Sequence, residues 1–136
     1  MRDRVFTPSE ANSALPEVRE AAERMVVVRT RMRELEETHA RLSGAVGGNG
    51  GGYVAGDLGA VRGELDTLAA ELVASLERLE ELGVLVKDAD SGLVDFPALR
   101  DGEAVLLCWH VGEDEVAYWH DPVEGFAGRK PIDWDE

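Results

Sequence analysis

Two seams of the same kind set the limits on how this chain folds. The first runs Val18, Ala21, Met25, Val28, Met32, Leu35, His39, Leu42, and the second runs Leu58, Val61, Leu65, Leu68, Leu72, Leu76, Leu79, Leu82. Steps alternate between three and four, the spacing that draws a stripe down one side of an α-helix. Each segment is about 25 residues long, roughly 37 Å as a helix. Thr7-Pro8-Ser9-Glu10 opens the first: Thr7 caps, Pro8 fits the first helical position, and Glu10 closes a capping box. Pro16 lies inside the pattern, where it removes a hydrogen bond and crowds the preceding turn. It predicts a kink, or a short first helix followed by a longer one.

Residues 43–57 contain seven glycines and separate the seams. They read as a flexible connector. With no Gly-Lys-Ser/Thr ending and no strand in front, they do not make a phosphate-binding loop. Two similar helices joined by a loop predict an antiparallel, coiled-coil-like hairpin. The run Met25 to Val28, with Ala69, Ala70, Val73 and Ala74, widens the apolar surface beyond one stripe. A C-terminal module, a second copy of the chain, or both must cover that excess, so self-association is expected.

Past Gly83 the period changes to that of strands. Strands are expected at 84–87, at 93–96 (ended by Pro97), from Ala104 to His110, and from Glu115 to His120, the last two as a hairpin. The tail from Asp121 reads as an ordered loop anchored by Phe126 and Trp134. The expected fold is therefore α+β in a single domain. A helix over 7–42 leads through the connector 43–57 to a helix over 58–82, which packs with a small antiparallel sheet module over 83–136.

Composition narrows the function classes. The net charge of −14 arises entirely from residues 43–136, which hold 6 Lys/Arg against 20 Asp/Glu, while residues 1–42 balance at eight each. An acidic surface repels phosphate backbones and anionic headgroups, so neither nucleic acid nor membrane is an expected partner. No apolar run is long enough to span a bilayer, and the opening residues read as no secretory signal. One cysteine, Cys108, rules out an internal disulfide framework and suits a reducing compartment, so a cytoplasmic location is expected.

The segment Val5-Phe-Thr-Pro-Ser-Glu-Ala-Asn-Ser-Ala-Leu-Pro-Glu-Val resembles the opening of an uncharacterised prokaryotic family catalogued as domain of unknown function 2203. Gly92-Leu-Val-Asp-Phe-Pro-Ala, then Leu107-Cys-Trp, Gly112-Glu113, Tyr118-Trp-His120 and Gly125-Phe-Ala-Gly-Arg129, is similar to that family's C-terminal signature. The likeness covers roughly residues 5–20 and 83–131. It implies no activity.

Chemistry-bearing side chains concentrate between Cys108 and Arg129. A ligand or catalytic pocket would use His120 as acid or base, Glu113 or Asp121 to orient it, and Arg129 to hold an anion. Trp109, Trp119 and Phe126 would form its apolar walls. A metal site would use His110, His120 and Cys108. Strand alternation places those three on one face only if the hairpin loop holds an odd number of residues. In a purely structural arrangement the tryptophans are core, His120 is hydrogen-bonded and Arg129 ties down the tail. Asp95, ahead of Phe96-Pro97, reads as a turn former. Arg24, Arg29, Arg31 and Arg33 can meet Glu64, Glu71, Glu77 and Glu81 across the hairpin.

No nucleophile–base pair or cofactor motif is recognisable, and no cofactor is expected. The sequence favours an interaction or assembly module acting as a homodimer or higher homo-oligomer, with a protein partner as a further option. The alternatives are a small-molecule-binding protein or enzyme around His120, Glu113 and Arg129, and a metal-binding protein using the C-terminal hairpin.

Overall fold

The structure, a computed structural model, describes residues 4–48 and 51–134. Helix α1 spans Pro8–Gly48 and α2 spans Gly51–Glu81. The strands are β1 Leu85–Asp88, β2 Leu93–Arg100, β3 Glu103–Trp109, β4 Tyr118–His120 and β5 Lys130–Pro131. They form one antiparallel sheet in chain order, and a short 3-10 turn at Gly125–Gly128 precedes β5. The fold is α+β, with the two helices packed on each other and the sheet at one end.

The helix start is as the sequence implies. Thr7 N donates to Glu10 Oε1 at 2.9 Å, and Glu10 N donates to Thr7 Oγ1 at 3.0 Å. Pro16 does not divide the first helix, which runs unbroken from Pro8. Both helices also run further than their seams. They take up much of the segment expected as a connector over 43–57, and only residues 49 and 50, outside the described residues, separate them. Glycine costs about 1 kcal/mol in a helix interior, a weak preference that pairing with a second helix can override.

Three interhelical ion pairs mark the register of the hairpin. Glu17 meets Arg78 at 3.0 Å, Arg24 meets Glu71 at 3.1 Å, and Arg31 meets Glu64 at 3.1 Å. Each step is seven residues on both helices. Two of the four arginines expected to reach α2 do so. Arg29 and Arg33 instead converge on Asp90 in the β1–β2 turn, at 3.0 and 2.9 Å.

Strand β2 continues through Pro97 instead of ending there. Beyond Asp95 it has no β1 partner, so Pro97 lies on an edge where a missing N–H costs no ladder bond. The Pro97 carbonyl accepts the Phe6 amide at 2.7 Å, and Phe6 then packs edge-on against Phe96 at 5.1 Å. A two-residue turn with positive φ at Asp101 (53°) and Gly102 (82°) joins β2 to β3. Asp-Gly is the pair such a turn favours, because both positions need the left-handed region.

The β3–β4 connection is longer than a tight hairpin turn. His110 lies past the end of β3, and 115–117 are not strand, so the connection covers 110–117. Side chains hold it in place. Asn12 of α1 accepts from Val116 N at 2.8 Å and donates to Val116 O at 3.1 Å, as a neighbouring strand would. Arg19 donates to the carbonyls of Glu113 and Asp114, and Trp109 Nε1 donates to Glu113 O.

The core lies between α1 and one face of the sheet. Ala11, Leu15, Val18, Ala22 and Met25 meet Val94, Phe96, Ala98, Val105, Leu107 and Trp109, while Leu79 and Val84 close the α2 side. In the tail, Trp134 packs T-shaped on Trp119 at 5.7 Å. Phe126, the other expected anchor, is 45% exposed.

Candidate functional site: a buried Asp–Cys–His cluster on the outer sheet face

Alternation along a strand sends neighbouring side chains to opposite faces, and residues paired across an antiparallel ladder share a face. Asp95 pairs with Cys108, Cys108 with Tyr118, and Leu106 with His120. Asp95, Cys108, Tyr118 and His120 therefore lie on the face turned away from the helices, while Val94, Phe96, Leu107 and Trp109 occupy the core face. Such an outer face is ordinarily wet. Here Asp95 is 1% exposed, Cys108 0% and His120 4%.

One polar atom from each of these three side chains lies within 4.8 Å of the other two. His120 Nε2 lies 3.1 Å from Asp95 Oδ1, and His120 Nδ1 lies 2.8 Å from the Asp121 carbonyl oxygen. A carbonyl only accepts, so Nδ1 carries hydrogen. A further proton must then lie between Nε2 and Oδ1, as imidazolium with carboxylate or imidazole with carboxylic acid. Burial raises the Asp95 carboxyl above its ordinary range, and the charge and hydrogen bond of His120 oppose that rise. Burial, reinforced by the negative charge of Asp95, pushes the Cys108 thiol up to about 12. Cys108 is thus a protonated thiol beside Asp95, not a poised nucleophile.

A second ionic group lies over the same face. Arg129 Nη2 donates to both oxygens of Glu113, at 3.1 and 2.8 Å, and both side chains are mostly buried. The guanidinium stacks 4.1 Å above the Tyr118 ring and 4.6 Å from that of Phe126. Glu113 Oε1 also accepts the His110 amide at 3.0 Å. The charges of Arg129 and Glu113 both act on Cys108, so the two groups are neighbours.

The residues singled out from sequence therefore divide into three sets. Glu113, Arg129 and Phe126 come together with His110. His120 and Cys108 come together with Asp95. Trp109 is fully buried in the helix-facing core, and Trp119 packs beside it with Trp134 and Arg100. His110 does not join Cys108 and His120: its Nδ1 lies 2.9 Å from the Val111 oxygen and its Nε2 3.7 Å from Glu113 Oε2. Asp121 orients His120 through its backbone, while its carboxylate accepts the Val123 and Glu124 amides.

Asp95 is the residue that sequence reasoning missed. It belongs to β2, not to a turn, and it is the hub of the cluster. The available signal was its position between Val94 and Phe96, which turns a carboxylate to the opposite face of the strand, between Leu93 and Pro97.

Among the described residues no helix is long and apolar enough to cross a membrane. Searches among curated proteins and among solved structures return no match to the chain. Residues 4–132 match the model of the uncharacterised conserved protein family DUF2203, and the chain belongs to that family.

Proposed function

We propose that the protein is a cytoplasmic assembly module whose helical hairpin pairs with the hairpin of a second copy. One observation supports this reading above others. Toward the end of the hairpin where α1 passes into α2, residues 29–44 of α1 and 56–71 of α2 hold Leu35 as the single buried apolar side chain. Met32, Leu42, Leu58, Val61, Leu65 and Leu68 are all half-buried along that stretch. Two helices bury one stripe between them, and a four-helix arrangement would enclose the rest.

Charge favours a second copy as the occupant. The α1 portion, residues 29–48, carries four Arg and three Glu, while the α2 portion, residues 51–71, carries four Asp/Glu and one Arg. The arm as a whole thus holds only two of the fourteen net negative charges. An antiparallel partner would set the more basic helix of one copy against the more acidic helix of the other. The cytoplasmic part of the reading is supported by Cys108, the single cysteine and a free, buried thiol.

Sedimentation equilibrium on the full chain tests the proposal. The expected result is twice the chain mass at micromolar concentration. Leu65→Glu with Leu68→Glu should give a monomer whose tryptophan fluorescence is unchanged, since Trp109 lies in the sheet-covered core and Trp119 and Trp134 pack against it. A wild-type chain that stays monomeric across the accessible concentration range would overturn the proposal.

A further inference from the structure

We propose that Asp95, Cys108 and His120 form a binding site for one divalent cation of the zinc class, through a carboxylate oxygen, Sγ and Nε2. The three ligand atoms lie within 4.8 Å of one another, and all three residues are buried. Bonds to zinc of about 2.0–2.3 Å set neighbouring ligand atoms about 3.5 Å apart, so rotamer adjustments of about an ångström would close the site.

Four features point to a cation, beyond proximity. The ligand types are one thiolate, one imidazole and one carboxylate, a set that selects zinc or cobalt over magnesium or calcium. The imidazole is already oriented: Nδ1–H donates to the Asp121 carbonyl, which leaves Nε2 directed into the cluster. That carbonyl is the type of outer partner that fixes the tautomer of a ligating histidine. The charge also balances, since a divalent ion with one thiolate, one carboxylate and a neutral imidazole leaves no net charge in a buried site. Each ligand comes from a different strand, β2, β3 and β4, so a cation would cross-link the centre of the sheet.

Protons balance as well. Without a cation, Cys108 holds its thiol proton and a second proton lies between His120 Nε2 and Asp95 Oδ1. Binding one divalent ion forms three bonds and releases both protons to solvent. Three protein ligands leave a fourth tetrahedral position for water or a small ligand.

The test uses the full chain, stripped with chelator and titrated with cobalt(II). The expected spectrum combines the visible bands of tetrahedral cobalt with a near-ultraviolet sulfur-to-cobalt charge-transfer band. Both should saturate at one equivalent and disappear on adding zinc. Two protons per cobalt should appear in weakly buffered solution. These measurements on the wild-type chain decide the matter whether or not any variant folds. Cys108→Ala should lose the charge-transfer band, and Asp95→Asn should weaken binding at least tenfold. The surface carries many of the chain's 28 Asp/Glu and can hold cobalt octahedrally. A weak octahedral spectrum without the sulfur band, or a Cys108→Ala protein that binds as the wild type does, would overturn the proposal.

Discussion

His120 and Asp95 meet at 3.1 Å although the whole of β3 separates their strands. The imidazole reaches diagonally from its place opposite Leu106 past Cys108, and both side chains are almost wholly buried. Removing one member of a buried pair strands the other, and this usually costs more than the pair contributes when intact. His120→Ala should therefore lower the stability of the metal-free protein by about 3 kcal/mol. Asp95→Asn should cost about 1 kcal/mol, because an amide N–H can donate to Nε2 while Nδ1–H keeps its carbonyl partner. Urea melts with chelator present, followed by tryptophan fluorescence, would compare the two. Equal costs would mean that the buried charge of Asp95 plays no part.

Gly92 and Gly102 both have positive φ, at 72° and 82°, and their surroundings differ. A Cβ on Gly92 would collide with the side chains of Val111 and Val26, whereas one on Gly102 would meet nothing within 4 Å. Backbone strain alone should make Gly102→Ala cost about 1 kcal/mol. Gly92→Ala adds overpacking to the same strain and should cost about 2–4 kcal/mol. The difference between the two variants in urea midpoint isolates the packing of the 110–117 connection against α1. If they melt together, that packing is loose.

Asp88 supplies a pH prediction. Its carboxylate accepts the Ser91 hydroxyl at 2.6 Å and the Ser91 amide at 3.2 Å. These hydrogen bonds, the hydroxyl first, hold the carboxyl below the usual aspartate range. A depressed carboxyl contributes stability above its unfolded pKa, and that contribution is lost as pH falls through the folded value. Asp88 is exposed, so the effect on stability is small and the site itself is the better reporter. Carboxyl-carbon NMR should show Asp88 titrating below the usual aspartate range, with Ser91→Ala returning it toward that range. A titration that Ser91→Ala leaves in place would assign the shift to another cause.

The helical half of the fold was legible because its signals are local. Thr7 and Glu10 lie in one turn, and the seam from Val18 to Leu42 repeats often enough to define its face. The sheet was only partly legible. Pro97 ends a strand as a rule, and the rule gives way here because β1 stops at Leu85 opposite Asp95 and leaves an open edge. Asp101-Gly102 is the stronger turn signal, and it lets β2 run to Arg100, twice the length that a stop at Pro97 implies. The parity condition on Cys108 and His120 is met by the register, but His110 lies beyond the strand end. Asp95 was illegible for a different reason. Its role depends on the tail returning over the outer face through Arg129 and Glu113, a contact 16 residues apart in sequence that no periodicity records.

The three ion pairs along the hairpin select register more than they stabilise it. Along α1 the signs run Glu17, Arg24, Arg31, and opposite them on α2 run Arg78, Glu71, Glu64. A slip of one heptad in one direction sets Arg24 against Arg78. A slip in the other direction sets Glu17 against Glu71. The native register avoids both like-charge contacts. Its stabilising effect is small, because exposed pairs contribute about 0–1 kcal/mol and all six side chains are at least a third exposed. A double-mutant cycle on Arg31→Glu and Glu64→Arg should give a coupling of about 0.5 kcal/mol, with the double reversal close to wild type. The coupling should fade between about 0.1 M and about 1 M salt, as the screening length falls from about 10 Å to about 3 Å. A coupling that survives high salt would mean that the pair is desolvated, and in this hairpin only a second copy packed against that flank could desolvate it.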